Sequence, residues 1–217
     1  MGEVRIPAGR GDVPGSVYGS GHTVVVLGPG AGGNRRTPQL VRFAEHLAAS
    51  GRQVLLYDFP YRERGRGSPD PPDVLEATTR AVGDYARTSL GAARLVHGGK
   101  SMGGRIASQV VAGGAPGDAL ILLGYPLHPP GKPDQLRDRH LPKIAVPMLF
   151  VQGTRDAFAR PDLLDAVLAR LGEKATLHRI EGGDHSFGVL KRSGRTAAEV
   201  EAEVKQIMVA WLERHGL

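Results

Sequence analysis

Cysteine is absent from this chain of 217 residues, which excludes disulfides, thiolate metal sites and a sulfur nucleophile at once. Aromatic residues are scarce at 5%, with one tryptophan, so there is little from which to build a stacking platform for single-stranded nucleic acid. No segment approaches the roughly 18 apolar residues that a membrane-crossing helix needs. The opening stretch MGEVRIPAGRGDVPG lacks the basic-then-apolar order of a secretory signal. A soluble, cytoplasmic protein is the expectation. The eight histidines show no i, i+4 pairing around an acid, so neither a metal nor a cofactor is expected.

An excess of one charge sign is present but diluted. Lys and Arg total 28 against 22 Asp and Glu, a formal net charge of +6. The arginines are interrupted by acids, as in Tyr61-Arg62-Glu63-Arg64-Gly65-Arg66, and no sustained basic run appears. A solvated basic surface fits this pattern better than a nucleic-acid partner. Hydrophobic residues make up 41% of the chain, enough for a proper core, and the length suits one domain over residues 1–217.

Short apolar runs recur, each bounded by Gly, Pro or Asp: Thr23 to Leu27, Gln53 to Tyr57, Arg94 to His97, Ala119 to Leu123, Met148 to Gln152 and Ala175 to Ile180. Runs of this length without polar alternation read as strands covered on both faces. Helical spacing fills the intervals, from Pro38 to about Ser50, Pro72 to Leu90, Ser101 to Ala112, Pro161 to Leu171 and Thr196 to His215. This alternation predicts an α/β fold with a mostly parallel, doubly wound sheet, because each parallel neighbour needs a crossover. Two antiparallel edge strands, Gly2 to Pro7 and Ser16 to Tyr18, are expected before it.

One stretch, VHGGKSMGGR from Val96 to Arg105, supports two chemistries. Its Gly-Lys-Ser suggests a phosphate loop, but that loop needs a glycine five residues before Gly99, and Arg94 stands there inside an expected strand. Gly99-Lys100-Ser101-Met102-Gly103 instead matches Gly-x-Ser-x-Gly between a strand and a helix, the turn that lifts a nucleophilic serine above a sheet edge. Such a serine requires a base, and the base requires an orienting acid. Asp156 follows the strand that ends at Gln152, and His185 follows the one that ends at Ile180, in the chain order Ser, acid, His. Asp184 rivals Asp156 by adjacency alone, and Asp156 has the alternative of capping the following helix. His97 precedes the serine and suits a packing or supporting role. For an oxyanion hole, the amide of Met102 and that of Ala31 in the loop Leu27-Gly28-Pro29-Gly30-Ala31-Gly32-Gly33 are the candidates. That loop matches a dinucleotide-binding glycine pattern only in part.

With Gly99 to Arg105, Gln152 to Asp156 and Gly183 to Phe187 in hand, the chain resembles the α/β-hydrolase superfamily over residues 22 to 215. Its likeness is to the small cap-less dienelactone-hydrolase-like group related to testis-expressed protein 30. Where many relatives carry His-Gly in the early loop, Pro29 replaces the histidine. The resemblance implies an α/β-hydrolase fold without a separate cap domain, and a serine hydrolase acting on ester-like substrates. The alternative is a catalytically weak or inert interaction module on the same fold. The proline-rich segment from Tyr125 to Pro147 is too short for a lid, so small soluble substrates are expected. Lys100, Arg35, Arg36 and Arg105 lie near the serine or the glycine loop in sequence, which suggests an anionic group on the substrate close to the serine, with surface or salt-bridge roles as the alternative.

Overall fold

Val-, Leu- and Ile-rich runs form the centre of the sheet because both of their faces are covered. All five residues of Ala119–Leu123 are buried. The computed structural model describes residues 1–9 and 11–217. Among them, β1 (Gly2–Pro7), β2 (Asp12–Tyr18), β3 (Thr23–Gly28), β4 (Gln53–Tyr57), β5 (Arg94–Lys100), β6 (Ala119–Leu123), β7 (Met148–Gly153) and β8 (Ala175–Ile180) form one sheet. Its order is β1-β2-β4-β3-β5-β6-β7-β8. Pairings from β4 through β8 are parallel, and β1 and β2 add an antiparallel end.

Helices α1 (Pro38–Ala49), α2 (Pro60–Glu63), α3 (Pro72–Thr88), α4 (Met102–Ala112), α5 (Pro161–Leu171) and α6 (Ala197–Arg214) flank the sheet. Four of them, α1, α2, α3 and α5, open with proline in the first turn, where its missing N–H has no helical partner to lose. Helix α6 starts with a capping box between Thr196 and Glu199. Leu40, Phe43 and Leu47 of α1 pack with Val204, Met208 and Trp211 of α6 on one face. Helices α3 and α4 cover the other face through Leu75, Val82, Ile106 and Val110, and α5 extends that layer through Leu164 and Val167. At about 1.5–3 kcal/mol per large side chain, this burial is the main term opposing chain entropy.

The architecture matches the expected doubly wound sheet, with several boundary corrections. Strand β5 continues past His97 to Lys100, because Gly98, Gly99 and Lys100 keep register with Ile121, Leu122 and Leu123 of β6. Helix α4 therefore begins at Met102, and Ser101 is the turn itself. Strand β2 begins at Asp12, not Ser16, and lies between β1 and β4 with only β1 at the edge. Helix α3 stops at Thr88 and α6 spans Ala197–Arg214. No separate cap is present: residues 124–147 form a loop with one short 3₁₀ turn, anchored by buried Leu127, Leu141 and Ile144. Among the described residues no helix is long and apolar enough to cross a membrane.

Candidate active site

The loops after β3, β5, β7 and β8 emerge at one end of the sheet, where parallel strands of an open α/β sheet present their ligand-binding edge. Ser101 sits at the tip of the β5–α4 turn with φ 51° and ψ −114°, a conformation that side chains with a Cβ seldom adopt. The turn is this tight because α4 lies almost on β3. A Cβ on Gly103 would stand 2.2 Å from the Gly28 carbonyl oxygen, and one on Gly99 2.4 Å from that oxygen. These contacts are the physical reason for both glycines of the Gly-x-Ser-x-Gly pattern. The Ser101 amide donates to the Leu123 carbonyl at 2.9 Å, which locks the turn to β6. Because residues 98–100 are paired in the sheet, the Gly-Lys-Ser stretch forms no phosphate loop.

His185 reaches this serine from the loop after β8. Its Nε2 lies 2.7 Å from Ser101 Oγ and its Nδ1 lies 2.7 Å from Asp156 Oδ2. The Asp156 side chain is fully buried. A carboxylate there is costly unless its oxygens are satisfied. Gln152 Nε2 donates to Oδ2 at 2.5 Å and the Phe158 amide to Oδ1 at 2.8 Å. Asp156 does not cap α5, whose N-cap is Arg160. Asp184 turns to its own loop instead, where Oδ1 accepts the amides of Ser186 and Gly188, each at 2.8 Å. The acid and histidine loops meet closely at Gly153, where a Cβ would stand 2.3 Å from the Gly183 carbonyl oxygen.

The amides of Ala31 and Met102 make no hydrogen bond among the described residues, and both residues line the cleft beside Ser101. Met102 opens α4, so its N–H is one of the donors that a helix leaves free at its start. The glycine loop that carries Ala31 is held from behind. Gly32 N–H donates to the Tyr61 hydroxyl at 3.2 Å. Arg35 donates from its amide to Asp58 Oδ1 at 2.5 Å, and its guanidinium pairs with Asp58 at 2.6 Å and Glu3 at 3.0 Å. Arg35 is thus committed to two carboxylates and Arg36 lies 3.8 Å from Glu3, which removes Arg35 from the cations that could meet an anion at the serine.

Sequence reasoning missed Phe158 and the part Gln152 plays, and it turned Lys100 toward an anionic substrate where the structure gives it a backbone partner. Lys100 is half-buried, and its ammonium donates to the carbonyl of His185 while lying 5.3 Å from the Phe187 ring centroid. Burial pushes its pKa down to about 8, opposed by the charges of Asp156 and Asp184. The Phe158 ring lies against His185, tilted by 31°, at a centroid distance of 4.2 Å. Gln152 links the acid to the Tyr125 amide, which it accepts at 2.8 Å. His97 is a packing residue: its Nε2 lies 3.0 Å from the Pro116 carbonyl oxygen, its ring abuts Gly83, and burial lowers its pKa. No cluster of three or more metal-binding side chains occurs among the described residues.

A family model described as an alpha/beta hydrolase domain matches residues 21–213, and the chain belongs to that family. Solved structures share the fold at low identity. Dienelactone hydrolase from Anabaena variabilis is 19% identical with a TM-score of 0.75, covering 98% of this chain and 96% of that one. A lidless α/β serine hydrolase from Xanthomonas campestris is 20% identical with a TM-score of 0.77, covering 98% and 94%. Est1E from Butyrivibrio proteoclasticus, solved with ferulic acid bound, is 17% identical with a TM-score of 0.75, covering 95% and 98%.

Proposed function

We propose that this α/β-hydrolase family member is a serine hydrolase that cleaves small ester-like acyl substrates through Ser101, His185 and Asp156, with residues 1–217 acting as one domain. The observation that carries the reading is the pair of 2.7 Å contacts that His185 makes, one to each partner. With Nδ1–H donated to Asp156, the Nε2 lone pair faces the Ser101 hydroxyl. Nε2 takes the Oγ proton as Oγ adds to the substrate carbonyl carbon. The carbonyl oxygen becomes an oxyanion between the Ala31 and Met102 amides. Collapse expels the alcohol, which receives the proton from Nε2 and leaves an ester on Oγ. A water molecule, deprotonated by the same nitrogen, then attacks that ester, and as the acid leaves Nε2 returns the proton to Ser101 Oγ.

Substrate size follows from the absence of a cap. Ser101 opens onto two shallow clefts of about 340 and 320 Å³, which suit a small molecule better than a long acyl chain. The ferulic acid held by Est1E supports the same size class. A cytoplasmic setting and the narrower kinship with the testis-expressed protein 30 group belong to this proposal. So does an anionic group on the substrate. Turnover of p-nitrophenyl acetate against p-nitrophenyl laurate tests it. The short ester is expected to be preferred and Ser101→Ala to lose turnover of both. A long-chain preference, or unchanged turnover in the variant, contradicts the reading, and the latter outcome leaves an inert interaction module on this fold.

A further inference from the structure

The two clefts at Ser101 share Ala31 and Phe158 as walls but differ in charge. One continues past Thr37, Leu40 and Lys100, whose ammonium is turned to a carbonyl. The other continues past Met102 and Pro126 to Arg105 and Arg137. Arg105 is the fourth residue after Ser101, about 6 Å further along the helix axis, with its amide donating to the Ser101 carbonyl at 3.0 Å. Ser101 and Arg105 line the same cleft, so the arginine stands on the side of the serine. Its partner there is neutral, Gln109 Oε1 at 3.1 Å.

Arg137 arrives from the 124–147 loop on a fixed backbone. Its amide donates to the Leu127 carbonyl at 2.7 Å, and its own carbonyl accepts the Tyr125 hydroxyl at 2.7 Å. Its guanidinium makes one long contact, 3.4 Å, to the Pro126 carbonyl. Among the described residues neither arginine forms an ion pair, whereas Arg35, Arg64 and Arg170 each do. Asp70 also lines this cleft, but Arg64 and the Tyr61 amide occupy its two oxygens. Burial first, and the Arg137 charge second, lower the pKa of Arg105; Tyr125 and then Glu76 oppose them without a hydrogen bond to it. Two like charges are therefore held together, part-buried, beside the serine, with no counterion of their own. A planar carboxylate matches the fork of N–H donors that such a pair offers.

We propose that Arg105 and Arg137 form a carboxylate-binding subsite, and that the substrates are esters or related acyl compounds bearing a carboxylate a few bonds from the scissile carbonyl. The neutral part of the substrate then lies in the cleft past Leu40. This rests on the hydrolase reading for its chemistry, but the subsite itself is testable by binding alone. Ser101→Ala is titrated calorimetrically with monomethyl glutarate and with dimethyl glutarate. The half-ester is expected to bind about tenfold more tightly or better, and adding Arg137→Met is expected to erase most of that advantage. Equal binding of the two esters overturns the subsite. So does inorganic phosphate displacing the half-ester more effectively than free glutarate does, since a carboxylate site should favour glutarate.

The catalytic arm compares mono-p-nitrophenyl adipate with p-nitrophenyl hexanoate, and 4-acetoxybenzoate with 4-methylphenyl acetate, so that the charge lies on the acyl side or the alcohol side. One pair is expected to show a kcat/KM ratio of about ten or more in favour of the anion, carried mainly by KM. Arg105→Met and Arg137→Met are each expected to lower that ratio about tenfold. Ratios near one in both pairs overturn the proposal. An equal loss on charged and neutral esters does so too, since it marks the arginines as structural. If Arg105→Met does not fold, Arg137→Met decides, because its guanidinium reaches one carbonyl only. A wild-type protein that turns over no ester refutes the hydrolase reading, and the calorimetry still judges the subsite.

Discussion

Lys100→Met is expected to leave stability at pH 7 nearly unchanged while lowering activity. Burial lowers the ammonium pKa from 10.5 to about 8, and each unit corresponds to 1.36 kcal/mol. Holding the charge in the folded protein at pH 7 therefore costs on the order of 3 kcal/mol relative to the unfolded chain. Two contributions oppose this. Removing the donor leaves the His185 carbonyl unpaired, at about 1–3 kcal/mol, and removes the contact with the Phe187 ring, worth about 0.5–1 kcal/mol. Methionine fills a similar unbranched volume, so the variant is expected to stay within about 2 kcal/mol of wild type at pH 7. The pH dependence carries the sign. Between about pH 8 and 10.5 the unfolded chain binds the Lys100 proton and the folded protein does not, so wild-type stability gains with rising pH from this group. The variant lacks that gain. Activity should fall by about 10- to 100-fold, mainly in kcat, because the histidine loop loses its tether to the serine turn. Denaturant unfolding at pH 7 and pH 9.5, run beside kcat and KM for p-nitrophenyl acetate, measures both. Unchanged kcat, or a loss of stability above about 4 kcal/mol, would refute the reasoning.

Three further substitutions probe the supports of the site. Gly103→Ala places a methyl group 2.2 Å from the Gly28 carbonyl oxygen. A loss of about 1–3 kcal/mol by thermal unfolding is expected, with turnover down about 100-fold as the loop carrying Ala31 is displaced. Asp156→Asn is expected to keep the fold and lose about 10³- to 10⁴-fold in kcat, since the amide cannot hold His185 in the required tautomer. Arg35→Met strands the buried Asp58 carboxylate and should cost about 3 kcal/mol in denaturant unfolding. The preference between anionic and neutral esters is expected not to change in that variant, and a change would return Arg35 to the substrate site.

The parts of the molecule legible in the sequence are those with a strong local cause. Ala119–Leu123 and Met148–Gly153 are apolar on both faces and bounded by turn residues, so they read as buried strands at once. The Gly99 and Gly103 pair is legible because contact between α4 and β3 leaves no room for a side chain. Strand β5 ran longer than expected because Gly98 and Gly99 weaken strand propensity locally while the register with β6 holds them extended. Pro14 and Gly15 hide β2 in the same way, and α2, four residues long, is too short for any period to show. In the sequence, Asp184 rivals Asp156 by adjacency to His185. The structure gives each carboxylate distinct partners, His185 for one and the Ser186 and Gly188 amides for the other. The role of Arg137 and the true partner of Lys100 escaped for one shared reason. Their partners, the His185 carbonyl and the cleft beside Ser101, exist only once distant segments fold together, and no local pattern encodes a long-range contact with a backbone oxygen.

Reactivity at one oxygen atom tests the central claim most directly. The purified protein is treated with a fluorophosphonate and the adduct located by intact mass and peptide mapping. One stoichiometric adduct on Ser101 is expected, with its rate reduced about 100-fold or more in His185→Ala. No adduct, an adduct at another residue, or a rate indifferent to His185 would contradict the account.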